Sequence, residues 1–85
     1  MKQLAELANI GQVLGTKLKE AGIESPDQLT SLGAEQAFIR LKTIDEGACL
    51  SMLCALEGAI RGIRWHQIPK ERKEELKAFC RMKTQ

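Results

Sequence analysis

Residues 46–65 read EGACLSMLCALEGAIRGIRW, and this stretch decides the fold class. Its apolar residues recur every three or four positions, which is the spacing of one buried face on an α-helix. The residues on that face are Cys49, Leu53, Leu56, Ile60 and Ile63. No other segment of the chain is as long. We therefore expect a helix over residues 46–65, with the rest of the molecule packed around it.

The same stretch has a second side that is almost free of side chains. Ala55, Gly58, Ala59 and Gly62 lie along it. A glycine inside a helix costs up to about 1 kcal/mol relative to alanine, so its presence needs a packing reason. We expect another helix or hairpin to approach this side closely.

The flanking sequence is also rich in helix-forming residues. Ala, Leu, Glu, Lys, Gln, Arg and Met supply 51 of the 85 residues, whereas valine occurs once and tyrosine not at all. No stretch shows the sustained alternation of a half-buried strand. We predict an all-α fold of five or six short helices around one longer central helix. Besides the central helix, the predicted segments cover residues 3–8, 12–21, 26–32 and 34–42, and one begins near Pro69.

Length and composition exclude several classes of protein. A chain of 85 residues has room for one small domain, in which a deep catalytic cleft is hard to form. No apolar run approaches the roughly 20 residues that span a bilayer. Glu6 lies where a signal peptide has its apolar centre, so we expect a cytoplasmic protein. Three cysteines without a C-x-x-C pair and one histidine predict no disulfide framework, no metal site and no cofactor.

Residues 7–11, Leu-Ala-Asn-Ile-Gly, have the form of a helix-hairpin-helix turn. Such a turn usually carries a glycine on either side of an apolar residue, and here Asn9 replaces the first glycine. Ile10 is expected to plug the junction, and Gly11 to need a conformation or close approach that a side chain would spoil. The backbone N–H groups after Ile10 are candidates to bind a DNA phosphate. The alternative is a purely structural hairpin.

The C-terminal part of the chain is its basic end. Residues 64–85 carry seven Lys or Arg against three Glu, a charge of +4, whereas the first 63 residues sum to −2. Lys73 and Lys77 are one helical turn apart and can face the same surface. Together with Lys17 and Lys70 they are candidates for contacts with DNA phosphates. Ordinary solvated lysines are the competing interpretation.

Glu57, Gly58, Arg61 and Trp65 form a second group of residues, to which we assign structural roles. Glu57 precedes Arg61 by four positions, the spacing of an ion pair on a helix. No nucleophile with an adjacent base is visible, so no catalytic residue is predicted. Trp65 with His66 is a candidate stacking surface for a base, but a core anchor is the favoured interpretation of a lone tryptophan at a helix end.

Several of these segments together resemble the C-terminal domain of the TfoX family, also called the Sxy family. They are LANIG at 7–11, LKEAGI at 18–23, LGA at 32–34, LCALEGAI at 53–60, RG at 61–62, Trp65 and IP at 68–69. The likeness covers residues 3–78. It implies one all-helical domain of the helix-hairpin-helix or SAM-like type and a link to regulators of natural DNA competence, with no catalytic residues. Larger members carry an N-terminal α/β domain, so we expect a single-domain relative over residues 1–85.

Two functional hypotheses follow, and neither is an enzyme. The first is a small regulatory domain that contacts duplex DNA weakly and without sequence preference. The second is a protein-interaction module that binds another polypeptide or a second copy of itself, with Ala55, Ala59 and Gly62 as the first candidates for its interface.

Overall fold

The computed structural model describes residues 3–84, with side chains to residue 82. The predicted domain over 1–85 thus includes residues 1, 2 and 85, which lie outside the described residues. Within the described part there are five α-helices, two single turns of 3-10 helix and no strand, so the all-α prediction is confirmed. The 3-10 turns are Leu4–Glu6 and Trp65–Gln67, and the helices are α1 (Gln12–Glu20), α2 (Pro26–Leu32), α3 (Ala34–Ile44), α4 (Leu50–Arg61) and α5 (Lys70–Thr84).

The start of α2 follows its sequence signals closely. Ser25 lies just before the helix, and its hydroxyl oxygen accepts a hydrogen bond from the Gln28 N–H at 3.2 Å. The Gln28 side chain reaches back to the Glu24 N–H, and Pro26 occupies the first helical position, where a missing N–H costs nothing. Gly33 then separates α2 from α3, so that the two helices pack together as a hairpin.

The central helix is shorter than predicted. α4 covers Leu50–Arg61, 12 residues, and α5, with 15, is longer. Before α4 the chain makes a turn in which Asp45 accepts hydrogen bonds from the N–H groups of Gly47 and Ala48. After α4, Gly62 adopts a left-handed conformation with φ 73° that ends the helix. Cys49 and Ile63 keep the apolar spacing but lie outside the helix.

The position of α4 at the centre of the fold is confirmed. Every residue from Leu53 to Ala59 is buried, and α2, α3, α5 and the second 3-10 turn all pack against the helix. The fully buried side chains come from every part of the described chain: Leu4, Leu18, Ile23, Leu29, Phe38, Leu41, Leu53, Leu56 and Leu76.

The first predicted helix, over residues 3–8, is a single 3-10 turn, because Leu7 is extended and Asn9 adopts a positive φ. The hairpin therefore has a short first arm, packed on α1. None of the helices described here is long and apolar enough to cross a membrane. Cys49, Cys54 and Cys80 are free thiols, and in the part of the chain that is described no three His, Cys, Asp or Glu side chains are grouped to hold a metal ion.

Candidate nucleic-acid interface

The hairpin closes at residues 7–11. The Ile10 N–H donates to the Leu7 carbonyl at 3.1 Å, and the Ile10 side chain is buried at the junction, as predicted. Asn9 has a φ of 67°, the left-handed conformation that asparagine tolerates better than most residues. Asn9 thus fills the position for which glycine is usual.

The expectation for Gly11 is wrong. Gly11 has an ordinary φ of −109°, and nothing lies within 4 Å of the place that a Cβ would occupy. One left-handed residue suffices to make this turn, and that residue is Asn9. Gly11 instead lies at the start of α1, where no side chain caps the helix. The first N–H groups of a helix have no partner within the helix, and such groups bind anions; Gln12 and Val13 of this first turn are exposed residues.

The Asn9 side chain ties the hairpin to the chain beyond α4. Its Nδ2 donates to the Ile63 carbonyl at 2.9 Å, and its Oδ1 accepts from the Trp65 N–H at 3.1 Å. Both polar atoms of the amide are therefore used. As a consequence, the hairpin and Trp65 are neighbours at one end of the fold.

Gly58 makes room for this contact. A Cβ on Gly58 would collide with Asn9 Nδ2 and would lie 2.7 Å from the Ile63 carbonyl oxygen. This contact is the packing reason that we expected for a glycine on the bare side of α4. Ala55 and Ala59 on the same side are buried within the fold, and only Gly62 is exposed. The interface at Ala55, Ala59 and Gly62 stays a prediction, and of its three residues only Gly62 is exposed.

Trp65 is not the core anchor that was favoured. Its side chain is 54% exposed, in the second 3-10 turn. The ring meets His66 edge-on, with centroids 5.9 Å apart, and the ammonium of Lys73 lies over it at 5.7 Å from the ring centroid. Lys73 is half-buried, and its Nζ also donates to the His66 carbonyl at 3.3 Å.

Two grooves meet beside these residues. The tryptophan groove has a volume of about 440 Å³ and is lined by Leu50, Ser51, Cys54, Trp65, Lys73 and Lys77. The hairpin groove has a volume of about 420 Å³ and is lined by Asn9, Gly11, Gln12, Val13, Leu14, Ser51, Met52 and Ala55. Ser51, in the first turn of α4, lines both. The two grooves therefore adjoin at Ser51, with the start of α1 beside one groove and the two lysines beside the other.

The other two lysine candidates are less well placed. Lys17 is engaged in an ion pair with Asp45, with 2.6 Å between Nζ and Oδ2. Hydrogen bonds from Lys17 and from the Gly47 N–H lower the pKa of the Asp45 carboxyl. Lys70 is exposed at the start of α5 and lines neither groove. Lys73 and Lys77 thus line the groove beside Trp65, whereas Lys17 and Lys70 line neither groove.

Glu57 belongs to a structural ion-pair network. The predicted pair with Arg61 is present, with 2.5 Å between Arg61 Nε and Glu57 Oε2. Arg72 of α5 adds a second contact at 3.1 Å, and its guanidinium also makes two hydrogen bonds to Glu35 of α3. Burial raises the pKa of Glu57, but the hydrogen bonds from Arg72 and Arg61 outweigh burial and lower it. The network joins α3, α4 and α5.

Sequence reasoning missed Arg72. Its partners Glu35 and Glu57 lie far away along the chain, so no local spacing points to them. The one available signal was that Glu57 is a carboxylate inside an apolar run. Such a group needs more than one partner when it is buried, and a cation from the basic α5 was the obvious supply.

Comparison with known proteins gives a consistent picture. The family model described as the TfoX C-terminal domain matches residues 1–80. Protein Sxy of Escherichia coli (strain K12) is 35% identical over 75 residues, which are 88% of this chain and 36% of that protein. The chain thus spans about a third of the length of this curated relative.

Two crystal structures of proteins from Listeria monocytogenes are similar over nearly the whole chain. An uncharacterized protein in a triclinic form is 46% identical, with a TM-score of 0.94, and the match covers 95% of this chain and 92% of that one. A protein of unknown function in a tetragonal form is 47% identical, with a TM-score of 0.90 and coverage of 93% and 96%.

Proposed function

The chain belongs to the TfoX C-terminal domain family, and from this premise we propose that it is a non-enzymatic regulatory domain that contacts the phosphate backbone of DNA. Membership of the TfoX/Sxy family relates the chain to competence regulation. The further step, to direct DNA contact, rests on the face between the hairpin groove and the tryptophan groove.

One observation carries the proposal. The uncapped first turn of α1 lines the hairpin groove, and Lys73 and Lys77 line the tryptophan groove, which shares Ser51 with it. Backbone N–H groups at a helix start bind phosphate oxygens, and nearby ammonium groups add charge contacts to neighbouring phosphates. Asn9 holds the turn in place through its bonds to Ile63 and Trp65, so that little ordering is required on binding.

The strength expected of this contact is low. The chain has a net charge of +2, and Lys17 already pairs with Asp45. A few phosphate contacts predict weak binding without sequence preference, and a decline of log K with log salt of about 0.9 for each contact on duplex DNA.

The test is a fluorescence-anisotropy titration of a labelled duplex at low and moderate salt. Replacing both Lys73 and Lys77 with Glu should abolish binding, and thermal melts check that the variant is folded, because Lys73 is half-buried and contacts Trp65 and the His66 carbonyl. The matched control reverses Lys19 and Arg40, two exposed cations near the opposite end of α1. If both double variants lose DNA equally, net charge alone explains the binding and the proposed face is wrong.

A protein-interaction module is the second candidate, and one observation favours it. Val13 in the first turn of α1 is 71% exposed and lines the hairpin groove beside Met52. Exposed apolar side chains at a groove often mark a protein contact. If the wild-type chain retains no DNA at low salt but sediments as a dimer that Val13→Asp dissociates, this function replaces the first.

A further inference from the structure

We propose that the tryptophan groove binds one unpaired nucleotide, with the base against the indole ring of Trp65 and its phosphate beside the ammonium groups of Lys73 and Lys77. The inference rests on the proposed function and deepens it. It assigns single-stranded DNA, or an unpaired stretch within a duplex, as the preferred substrate class.

The first support is the exposure of an aromatic ring that is held in position. Trp65 presents more than half of its side-chain surface to solvent, whereas Phe38 and Phe79 pack on each other in and beside the core. The backbone of Trp65 is held by Asn9, and its ring contacts the edge of His66 and lies under the ammonium of Lys73. An exposed aromatic ring is the usual platform on which proteins stack unpaired bases.

The second support is the distribution of polarity in the groove. Leu50 and Cys54 line it beside the ring, and its cations are Lys73 and Lys77. Among the residues whose side chains the structure describes, no carboxylate lines it, and Glu74, which pairs with Lys77 at 3.8 Å, is largely exposed. An apolar slot beside two cations matches a flat base joined to a phosphate. The bases inside a duplex are stacked on both faces. A duplex can therefore offer such a slot only the phosphates of its backbone.

The third support is continuity with the hairpin. Ser51 lines both grooves, and Asn9 contacts the backbone of Trp65 directly. A strand with one phosphate on the first turn of α1 can therefore continue across Ser51 and place its next unpaired base on Trp65. The volume of about 440 Å³ lies within the range of about 300–1,000 Å³ typical of small-molecule sites.

Trp65 is the single tryptophan of the chain, so its fluorescence reports directly on the groove. The experiment titrates the wild-type protein at low salt with a thymidine oligonucleotide, and separately with a duplex of the same length. We expect the single strand to quench Trp65 fluorescence and to bind about tenfold more tightly than the duplex, which is within the effect of one stacked base.

Two variants, followed by anisotropy of labelled oligonucleotides, make the test specific. Trp65→Ala should lose about tenfold in affinity for the single strand, and its affinity for the duplex should stay within about twofold. Trp65→Phe should retain most of the preference, because it keeps an aromatic face. Since the side chain is exposed, both variants should melt close to the wild-type temperature, and the melts check that they are folded.

The outcomes separate this inference from the proposed function. Equal affinity for both nucleic acids, unaffected by Trp65→Ala, overturns the groove inference and leaves the backbone contact standing. No binding of either nucleic acid overturns both. Quenching of Trp65 by a polyglutamate peptide, with none by the oligonucleotide, also overturns the inference, because the groove would then recognise acidic protein segments.

Discussion

Gly58 is the residue whose role is clearest from geometry. It lies inside a helix, where glycine is unfavourable, but a Cβ at this position would press on the Ile63 carbonyl and the Asn9 amide. The Asn9 amide cannot simply swing aside, because both of its polar atoms are hydrogen-bonded. The cost of glycine in the helix is therefore offset by a contact between two distant parts of the chain.

We predict that Gly58→Ala destabilises the fold by about 1–3 kcal/mol or more, as overpacking of a tight site does. Gly11→Ala is the matched control. With an ordinary φ and open space around it, Gly11 should accept alanine with a change within about 0.5 kcal/mol. Urea unfolding of the two variants measures both values, and equal midpoints would contradict the packing argument.

For single residues, the sequence predicted backbone conformation better than it predicted contacts between distant parts of the chain. Asn9 stands in place of the first glycine of the pattern, and it adopts the left-handed conformation that asparagine tolerates. The prediction for Gly11 was wrong because the usual pattern has a glycine on each side of the apolar residue. That pattern does not say which of the two glycines needs the left-handed conformation. The reason for Gly58 was beyond prediction, since its partners come from chain segments whose approach only the fold defines.

At the scale of elements, the ion-pair network joins three helices. Arg72 contacts Glu35 of α3 and Glu57 of α4, and its side chain is 21% exposed. Arg61 contacts Glu57 alone in the described structure and is 42% exposed. The two arginines therefore differ in how strongly each stabilises the buried carboxylate of Glu57.

We predict that Arg72→Met destabilises the fold by about 3–5 kcal/mol, because it leaves the buried charge of Glu57 with one partner. Arg61→Met should cost less, about 1 kcal/mol, since solvent screens the more exposed pair. Thermal or urea unfolding at neutral pH compares the two. A smaller loss in Arg72→Met than in Arg61→Met would mean that Arg72 does not hold the helices together.

The pH dependence of stability follows from the same network. The folded pKa of Glu57 is lowered from its ordinary 4.5, so folding favours the ionised carboxylate. The stabilisation is fully present above pH 4.5 and is lost as the pH falls through the lower folded value. Glu57→Gln should thus have a smaller loss of stability between pH 5 and pH 3 than the wild type. The measurement is urea unfolding of both proteins across that interval, and parallel curves would refute the lowered pKa.

The predicted ends of α4 were wrong, because hydrophobic periodicity does not locate the ends of a helix. Cys49 and Ile63 have the right spacing for the helical face, yet each lies just outside the helix. Apolar residues that flank a helix also pack against its neighbours, so the pattern runs past the true ends. Gly62 directly after Arg61 was a legible stop signal, because glycine commonly takes the left-handed position there. The turn made by Asp45 depends on hydrogen bonds that no apolar pattern records.

At the scale of the whole molecule, one core supports the fold. Leu56 has no exposed surface and lies on α4, the helix on which α2, α3 and α5 pack. We predict that Leu56→Ala destabilises by about 2–5 kcal/mol, because a small domain cannot close the cavity. Val13→Ala, at a site 71% exposed, should change stability by less than about 0.5 kcal/mol. Comparable losses in the two variants, measured by thermal melts, would show that the core is misassigned.

Most of the architecture was predictable from the sequence, whereas the grouping of the candidate site was not. Helix-forming composition and capping residues indicate the helices, since these signals are local. Lys17, Lys70, Lys73 and Lys77 look alike along the chain, and only the fold separates the pair beside the hairpin from the others. The exposure of Trp65 had no signal in the sequence, because a lone tryptophan near a helix end also fits a buried anchor.

The close packing of Asn9 against Gly58 has a consequence for how related sequences diverge. An amide at position 9 and a missing side chain at position 58 are each costly alone, and each is justified by the other. The two positions should therefore be inherited as a pair, and a descendant that gains a side chain at 58 should change both the residue at 9 and the course of the backbone at 63. In an alignment of many relatives, drift at one of these sites with strict retention of the other would be the exception.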